Sequence, residues 1–368
     1  MLYNLIDTFN VSIVYLIIKK NMGEKNMSIT MKDLAYMAGV SRATVDRVLN
    51  KRGRVNIETE KRILALAKSV GYRPNLVAQA LSSPNKAFHI GCVLAYVNPA
   101  FHSLVRNGIE DAIKELTVFG VKSTIESMMT LDVNEQLSHI EEMEKRGIHA
   151  LIITPINDPK IVEKLQGLIE RGIQVISVTA AIEGVNCLAS IGCDHERSGR
   201  IMANLMHLAV RKPSKIAAFI GYDNMLGHEL RVKGLRSAIK EKYPELSIEV
   251  IAKTHDDDLQ TYIQTQYVLN NHPDADIFFY AGAGVYGGIR AICESSRRDQ
   301  IMVFAYDLYD EARKYLKEGT LIPAALYQDP YNQGYTAVKI LSDYLLYRKS
   351  PESNKIFTKT EILVSECL

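Results

Sequence analysis

The stretch that decides the fold of the amino-terminal part runs from residue 30 to residue 50 and reads TMKDLAYMAGVSRATVDRVLN. Thr30 followed by Asp33 has the spacing of a capping box, which begins a helix. Gly39 ends that helix, because the position after a helix favours left-handed dihedral angles. Ser41 then caps a second helix, predicted from Arg42 to Leu49. Helix, glycine-containing turn and helix predict a helix-turn-helix, whose second helix enters the major groove of DNA.

The second helix contains the candidate DNA-reading residues. Residues early in such a helix lie nearest the bases, so Arg42 and Ala43 are the expected base readers. Thr44 and Arg47 would then border the DNA backbone. Arg42 can pair bidentately with guanine, although the alternative is that all four are ordinary solvated helix residues. A third helix is predicted from about Glu58 to Val70, where apolar residues recur at helical spacing.

Charge divides the chain into two unequal parts. Residues 27–86 contain eleven Lys and Arg against four Asp and Glu, a net charge of +7, and residues 1–26 carry +1. Since the whole chain carries +2, the remaining 282 residues carry −6. A compact basic segment beside a mildly acidic remainder predicts a polyanion-binding module joined to another kind of domain. The apolar share of 47% excludes a wholly disordered chain.

The first 26 residues and the cysteines bear on location. The apolar run from Ile13 to Ile18 is too short to span a bilayer, and basic residues follow it rather than precede it, unlike in a signal peptide. We therefore expect a dispensable extension, with Met27 as the natural start. The five cysteines are odd in number and lack C-x-x-C spacing, which favours reduced cytosolic thiols over a zinc ribbon or a disulfide framework.

These residues resemble a known family. Segment 30–50, followed by TEKRILALAKSVGYRPNLVAQAL at 59–81, resembles the DNA-binding head of LacI/GalR-type transcriptional regulators. The resemblance completes the set of predicted DNA-contacting residues, which are Thr30, Ser41, Arg42, Ala43, Thr44, Arg47, Asn50, Asn75, Ala78 and Leu81. One departure is Asp46, where the family usually has serine. A carboxylate there either faces a neighbouring arginine or base, or the docking differs.

The resemblance extends to a hinge. Leu76 to Leu81 resemble the family's short hinge helix, two copies of which lie in the minor groove at the dyad. Leu81 would then wedge a base step apart and kink the duplex. The alternative is a linker leucine that packs on the body. Ser82 to Asn85 is the expected linker.

From Phe88 onward, continuous apolar runs alternate with amphipathic stretches. The runs include 90–97, 150–154, 175–178, 215–220, 277–280 and 301–305. Such runs are typical of strands buried on both faces, so βαβ units with parallel sheets and helices on both faces are predicted. A break at Arg211 to Ser214 predicts two α/β lobes, with a ligand site in the cleft beyond the carboxyl ends of the strands.

Polar residues at the predicted strand ends suit a small polyol. Amides and carboxylates form paired hydrogen bonds with vicinal hydroxyls, and an aromatic ring covers the apolar face of a sugar. The candidates are Asn98, Phe101, Asn157, Thr179, Asp194, Asp307 and Gln328. Each alone is an ordinary loop-capping residue, and their recurrence at strand ends is what indicates a site.

The body also resembles the ribose-binding-protein-like (periplasmic sugar-binding-like) effector domain of the same family. ELRVKGLRSAI at 229–239 resembles its R-x-x-G motif, which implies that Arg231 clamps a sugar hydroxyl or carboxylate. YVNPAF, IGCDHERSGR, FAYDLYD and ALYQDPYNQGY resemble its strand ends, which again implies Asp307 and Gln328. Ala281 to Gly284 stand where many relatives have Asn-Asp. Two polar ligand groups are thus missing, and the effector is expected to differ from that of a close homologue.

Two other functions remain open. Gly282-x-Gly284-x-x-Gly287 follows a strand and opens a helix, as a dinucleotide fingerprint does, so an NAD-dependent oxidoreductase body is one alternative. Asp299, the downstream acidic residue, falls in a polar loop rather than at a strand end. A soluble sugar-binding protein is the other alternative, which the basic head disfavours.

Other motifs do not indicate chemistry. His255 to Asp258 is better explained by carboxylates at the start of a helix than by a cation site. Asp194 to Glu196 could imitate a catalytic set, but adjacent residues point in different directions. The sequence has no P-loop and no H-E-x-x-H motif, so neither a cofactor nor a metal is expected.

The combined prediction is a helix-turn-helix domain over 27–74, a hinge and linker over 75–86, and a two-lobed effector-binding and dimerisation domain over 87–368. We expect a cytoplasmic homodimer that is not an enzyme and does not bind membranes. It would bind double-stranded operator DNA under the control of a sugar or sugar derivative. Arg231 and Asp307 are expected on facing sides of the cleft.

Overall fold

The computed structural model describes residues 31–49, 53, 55–70, 88–221 and 226–368. Three helices form the head, α1 (Met31–Met37), α2 (Arg42–Leu49) and α3 (Ile57–Ser69). Gly39 between the first two has a φ of +62°, and the Ser41 hydroxyl accepts a hydrogen bond from the Thr44 amide at 3.1 Å. The predicted turn and second cap are confirmed, whereas Thr30 lies outside the described residues.

The head has its own small core. Its buried apolar residues come from all three helices and are Leu34, Ala35, Ala38, Val45, Val48, Ile63 and Leu66. The third helix begins at Ile57, one residue earlier than predicted, because the Asn56 side chain accepts a hydrogen bond from the Glu58 amide at 2.8 Å. The predicted hinge helix, Leu76 to Leu81, lies outside the described residues.

The body alternates strands and helices along the chain. Its first half contains β1 (His89–Ala95), α4 (Pro99–Leu116), β2 (Lys122–Met128), α5 (Val133–Lys145), β3 (Ala150–Ile153), α6 (Pro159–Glu170), β4 (Gln174–Thr179) and β5 (Ala189–Gly192). Its second half contains α7 (His195–Ala209), β6 (Ser214–Ile220), α8 (Leu226–Lys242), β7 (Leu246–Lys253), α9 (Asp258–Asn271), β8 (Ala275–Tyr280), α10 (Val285–Cys293), β9 (Met302–Tyr306), α11 (Asp310–Glu318) and β10 (Ala324–Tyr327). The chain ends with α12 (Pro330–Tyr347), β11 (Lys355–Phe357) and β12 (Glu361–Leu363).

The strands form two six-stranded sheets with equivalent strand orders. The first is β11-β5-β4-β3-β1-β2, and the second is β12-β10-β9-β8-β6-β7. All neighbours are parallel except β12, which runs antiparallel to β10. Five strands of each sheet follow the flavodoxin-like order, which places ligands beyond the carboxyl ends of the strands. The predicted two-lobed body with parallel sheets is confirmed.

Central strands are buried on both faces, which explains their continuous apolar runs. The four residues from Ile277 to Tyr280 in β8 are each 0% exposed. They alternate between two apolar clusters on opposite faces of the second sheet. The apolar runs did not reveal β2 and β7, because these edge strands carry partly exposed charged residues such as Glu126 and Glu249.

The chain crosses between the lobes three times, and the predicted boundary at Arg211 to Ser214 is wrong. Helix α7 already packs against α8 of the second lobe, and its Ser198 hydroxyl lies 3.0 Å from that of Tyr306. The first crossing therefore precedes α7. After β10 the chain returns to the first lobe, where α12 packs against α4 and β11 joins the sheet, and β12 then crosses back.

All five cysteines lie in the described residues and are free thiols. Burial raises the pKa of Cys92 to about 12, which makes it an inert core residue. Within the described ranges, no helix is both long enough and apolar enough to cross a membrane.

Candidate functional site

The predicted reading helix presents its polar side to solvent. Arg42, Ala43 and Arg47 are exposed. Thr44 is half-buried, and its hydroxyl lies 2.9 Å from that of Ser41. The opposite face of α2 is packed into the core of the head, so the predicted base readers are available without disturbing that core. The remaining predicted DNA contacts lie outside the described residues, namely Thr30, Asn50, Asn75, Ala78 and Leu81.

A cleft of about 640 Å³ lies between the two lobes of the body. Its lining includes six of the eight predicted effector residues, which are Asn98, Phe101, Thr179, Arg231, Asp307 and Gln328. The first three belong to the first lobe, at the ends of β1 and β4. The last three belong to the second lobe, on α8 and beyond the ends of β9 and β10. Strand ends from both sheets therefore meet at one cavity, as the topology requires.

Two predicted effector residues do not line the cleft. Asp194 caps α7, where its side chain accepts a hydrogen bond from the Arg197 amide at 3.0 Å. Asn157 is exposed and precedes the cap of α6. Both are polar residues at the start of a helix, and capping accounts for Asp194 without a ligand.

Arg231 is the centre of a buried polar network. It is 5% exposed, and its guanidinium lies 3.9 Å from the centroid of the Tyr306 ring. One Nη donates to the Ala281 carbonyl, and the other donates to the Gln328 side-chain oxygen. The Gln328 side-chain nitrogen donates in turn to the Asp307 carboxylate.

This network overturns the expectation that Arg231 and Asp307 face each other across the cleft. Both belong to the second lobe, and Gln328 joins them. The backbone amide of Gln328 also donates a hydrogen bond to the Asp307 carboxylate, at 2.9 Å. Burial raises the pKa of Asp307 to about 6, against the opposing effects of these hydrogen bonds and of the nearby arginine. The guanidinium is stacked and its Nη atoms are bonded, while its Nε has no partner within the described chain.

Three histidines that were not predicted also line the cleft. They are His102 of the first lobe, His195 at the start of α7, and His228 on α8. Burial lowers the pKa of His102 to about 4 and that of His195 to about 3, the latter with a contribution from Arg231. Burial also lowers the pKa of His228. The lowered pKa values favour the neutral form of all three rings at pH 7.

Unpartnered polar atoms are concentrated at this cleft. Within the described chain, seven buried side-chain atoms lack a hydrogen-bond partner, and five of them belong to residues that line the cleft: Thr179 Oγ1, His195 Nδ1, His228 Nδ1, Arg231 Nε and Tyr309 OH. Strained backbone is found in the same place, since Thr179, Asp256 and Asp307 all have positive φ. Buried polar groups normally find partners, so a polar ligand that supplies them would fit this cavity.

The glycine segment from Gly282 to Gly287 does not fit a dinucleotide. In that fingerprint the backbone amides of the loop and helix bind the pyrophosphate. Here the Gly287 amide donates to the Asp258 carboxylate at 3.0 Å, and the Ala283 amide donates to the Asp256 carboxylate at 2.7 Å. Two carboxylates already hold these amides and would repel a pyrophosphate. The geometry therefore argues against the NAD-dependent alternative.

Asp299 and the acidic segment show no catalytic or metal-binding arrangement either. Asp299 lies in a 3₁₀ turn, Arg298–Gln300, rather than at a strand end. Asp257 caps α9, as the helix-start explanation predicted. Across the residues that the structure describes, no group of three or more His, Cys, Asp or Glu side chains is arranged to hold a metal ion.

Some of the missed cleft residues carried a signal in the sequence. His228 precedes Arg231 by three positions, which places both on one face of a helix. His195 follows the predicted residue Asp194, and His102 follows the predicted residue Phe101. Asp256 belongs to the acidic segment predicted to begin a helix, and its contacts with Gly221, Gly282 and Ala283 could not be foreseen because these residues are distant in sequence.

Comparisons with known proteins agree with this architecture. Residues 90–349 match the family described as periplasmic binding protein domain. Residues 30–75 match the bacterial regulatory proteins of the lacI family. Among solved structures, the glucose-galactose binding protein GanP from Geobacillus stearothermophilus has a TM-score of 0.71 at 21% sequence identity, over 77% of this chain and 99% of that chain.

Several proteins with a similar sequence are named as regulators or repressors. Catabolite control protein A from Priestia megaterium is 27% identical over 217 residues, 58% of this chain and 62% of that protein. RegA from Clostridium saccharobutylicum is 29% identical over 61% of this chain and 65% of its own length. The ribose operon repressor from Halalkalibacterium halodurans is 26% identical over 76% of this chain and 80% of its own length. The chain thus spans less than two thirds of the first two relatives.

The fold and these matches define a chain with a two-lobed periplasmic-binding-protein-like body and a head that matches the lacI regulatory proteins. The chain belongs to the periplasmic binding protein domain family, and its head is a lacI-type helix-turn-helix domain.

Proposed function

We propose that this chain is a sequence-specific transcription regulator whose affinity for operator DNA is controlled by a sugar or sugar derivative. One observation carries the proposal: a lacI-type head is joined in one chain to a cleft with unpartnered buried polar atoms. A coupling free energy of about 1–3 kcal/mol between the two ligands would change the operator affinity by roughly 5–150-fold. The relative named ribose operon repressor supports repression of sugar genes.

The network of Arg231, Gln328 and Asp307 is hydrogen-bonded to the segments that connect the two lobes. The Gln328 carbonyl accepts hydrogen bonds at 3.0 Å from the Thr358 hydroxyl and from the Gln333 side chain. The Thr358 amide donates to the Gly192 carbonyl at 2.9 Å. Thr358, which lies in the third crossing, is therefore hydrogen-bonded to Gly192 at the first crossing and to Gln328 at the second. A ligand that rearranges the Gln328 side chain would act directly on the segments that set the angle between the lobes.

We further propose that the regulator is a homodimer. Its head has one recognition helix, which reads one half-site, so a two-fold DNA site needs a second copy. Helix α9 exposes an apolar stripe to solvent, formed by residues four positions apart. The exposed fractions of Leu259, Ile263 and Tyr267 are 64%, 45% and 55%. A second chain packed on this stripe would remove it from water. We place the dimer in the cytoplasm, where its DNA and the reducing conditions that suit free thiols are found.

The test is DNA binding by the full chain, with a site selected from random duplexes and affinity measured by fluorescence anisotropy. We expect a pseudo-palindromic site, and a 5–150-fold change in affinity with one sugar of a monosaccharide panel. Arg42→Ala should cost about 1–3 kcal/mol and relax specificity at one base per half-site.

The matched control is Arg298→Ala, an exposed arginine of the body, which should leave DNA binding unchanged. An equal loss by Arg42→Ala on the selected site and on random DNA would mean that this side chain contacts phosphate only. A protein that selects no sequence at all would contradict the regulator proposal.

A further inference from the structure

Asp256 occupies a place in the cleft that two glycines leave open. A Cβ atom at either Gly221 or Gly282 would collide with the Asp256 carboxylate, so the carboxylate can take this place only because neither position carries a side chain. The Asp256 side chain is 7% exposed, its Oδ1 accepts the hydrogen bond from the Ala283 amide, and its backbone has a φ of +55°. Three segments that are distant in sequence are thus arranged around one carboxylate.

This arrangement is unfavourable in the protein alone. A carboxylate removed from water needs charge or hydrogen bonds to compensate, and a positive φ is unfavourable for a residue other than glycine. The ion-pair partner that the described residues offer Asp256 is His228, whose Nε2 lies at 4.0 Å. Burial lowers the pKa of that histidine against the opposing effect of the Asp256 carboxylate, which favours a neutral ring at pH 7. Strain of this kind persists where the group has a function.

The described lining of the cleft carries more negative than positive side chains, and one of its histidines offers a further acceptor. His195 Nε2 lies 3.1 Å from the Thr179 carbonyl. Since a carbonyl only accepts, Nε2 carries the proton and the buried, unpartnered Nδ1 is an acceptor. Among the residues that the structure describes, the lining contains one guanidinium, Arg231, and five carboxylates, which belong to Asp256, Asp257, Asp258, Asp307 and Glu311. Both Nη atoms of that guanidinium are already bonded within the protein.

We propose that Asp256 is the charged anchor of the effector site and that the effector is a sugar bearing a protonated amine. An ammonium group has three N–H donors, no acceptor and a positive charge, which complements a buried carboxylate among acceptors. A hydroxyl at the same place brings no charge, and a phosphate or carboxylate would be repelled by the five acids. This inference rests on the proposed control by a sugar and adds its chemical class.

The test compares sugars that differ in a single substituent. Binding of D-glucosamine, D-galactosamine and D-mannosamine to the full chain is measured by calorimetry, beside D-glucose, D-galactose and D-mannose. The N-acetylated amines serve as further controls, because they keep the nitrogen and lose the charge. We expect at least one amine to bind at least tenfold more tightly than both of its uncharged counterparts.

The outcomes separate this inference from the proposed function. A neutral sugar that binds as tightly as its amine overturns the inference and leaves control by a sugar standing. Binding of none of these sugars overturns the inference, whereas the proposed function is decided by the response of DNA binding to the wider monosaccharide panel.

The Asp256→Asn variant tests the residue itself. It keeps an oxygen that can accept from the Ala283 amide and removes the charge. We expect the amine to lose at least tenfold in affinity and neutral sugars to change less than threefold. Asp132→Asn is the matched control, since it makes the same change at the cap of α5 in the first lobe, outside the cleft lining, and should keep the preference.

Retention of the amine preference by Asp256→Asn would overturn the assignment of the anchor. If that variant does not fold, the wild-type comparison of charged and N-acetylated sugars decides the proposal by itself.

Discussion

The two lobes share a strand order and differ in what they bring to the cleft. The second lobe contributes Arg231, Asp256 and Asp307. The described first-lobe lining, residues 97–102 and 179–180, contains no Asp, Glu, Lys or Arg. Since the fold is the same, the difference lies in the residues at the strand ends. We infer that the second lobe recognises the ligand by charge and that the first lobe mainly covers it.

The range of the hydrogen bonds shows the same contrast. In the first lobe, the Asn98 side chain accepts from the Phe101 amide at 3.3 Å, three residues away. Its carbonyl lies 2.9 Å from the His102 ring nitrogen, four residues away. In the second lobe, Gln328 forms hydrogen bonds with Arg231, which lies 97 positions away along the chain, and with Asp307, which lies 21 positions away. The polar groups of Asn98 in the first lobe thus bond to residues of the same helix start, whereas Gln328 in the second lobe bonds to residues from distant parts of the chain.

The largest effect is expected for Arg231→Ala. The second-lobe network loses its centre, so the effector should no longer influence DNA binding, with a loss of ligand affinity of about 100-fold or more. Effector-free DNA binding should persist, because the head has its own core. DNA titrations with and without sugar measure both. Full retention of the sugar response would contradict the dominant role of the second lobe.

The next largest effect is expected for Asp307→Asn. The amide keeps the shape and loses the charge, so ligand affinity should fall by roughly 10–150-fold, the range for a hydrogen bond to a charged group. Because burial raises the pKa of Asp307 to about 6, wild-type affinity should also fall as the pH drops through 6. Calorimetry from pH 5 to pH 8 tests this, and the variant should lack that dependence.

Acidification tests the histidine between the lobes. The pKa of His195 is lowered to about 3 in the folded protein, from an ordinary value near 6.5. A lowered pKa means that the unfolded chain binds the proton more tightly, so stability is lost as the pH falls below about 6.5. At pH 5 this loss amounts to about 2 kcal/mol. Urea unfolding should show that His195→Gln loses less stability than wild type between pH 7 and pH 5.

The smallest effect is expected in the first lobe. Phe101→Leu keeps an apolar side chain at a buried position and removes the aromatic face. Ligand affinity should fall by only about 2–10-fold, equivalent to roughly 0.5–1.5 kcal/mol. Calorimetry on this variant beside Arg231→Ala sharpens the comparison of the lobes. A loss as large as that of the arginine variant would show that both lobes recognise the ligand equally.

The head could be predicted almost completely from the sequence. Gly39 and Ser41 ended and began helices where expected, and α3 differed by one residue at each described end. These signals lie within three or four residues of the structure that they determine. The Asn56 cap was overlooked, although a side chain of that type just before a helix is itself a local signal.

The body could be predicted in class but not in detail. Buried central strands appear as apolar runs, whereas the edge strands β2 and β7 do not, because one side of an edge meets water. The lobe boundary was misplaced for a related reason. The break from Arg211 to Ser214 has the same sequence pattern whether it connects two lobes or two elements of one lobe. Only the packing of α7 against α8 shows that α7 belongs to the second lobe.

The sequence by itself therefore determined the helix-turn-helix, the α/β class of the body and six residues of the cleft lining, because caps, turns and buried strands are encoded by neighbouring residues. Only the tertiary structure decided that Arg231 and Asp307 share one lobe and that Gln328 joins them. It also decided that the room for Asp256 comes from Gly221 and Gly282. These contacts join residues tens of positions apart, and no local pattern encodes which distant groups a folded chain brings together.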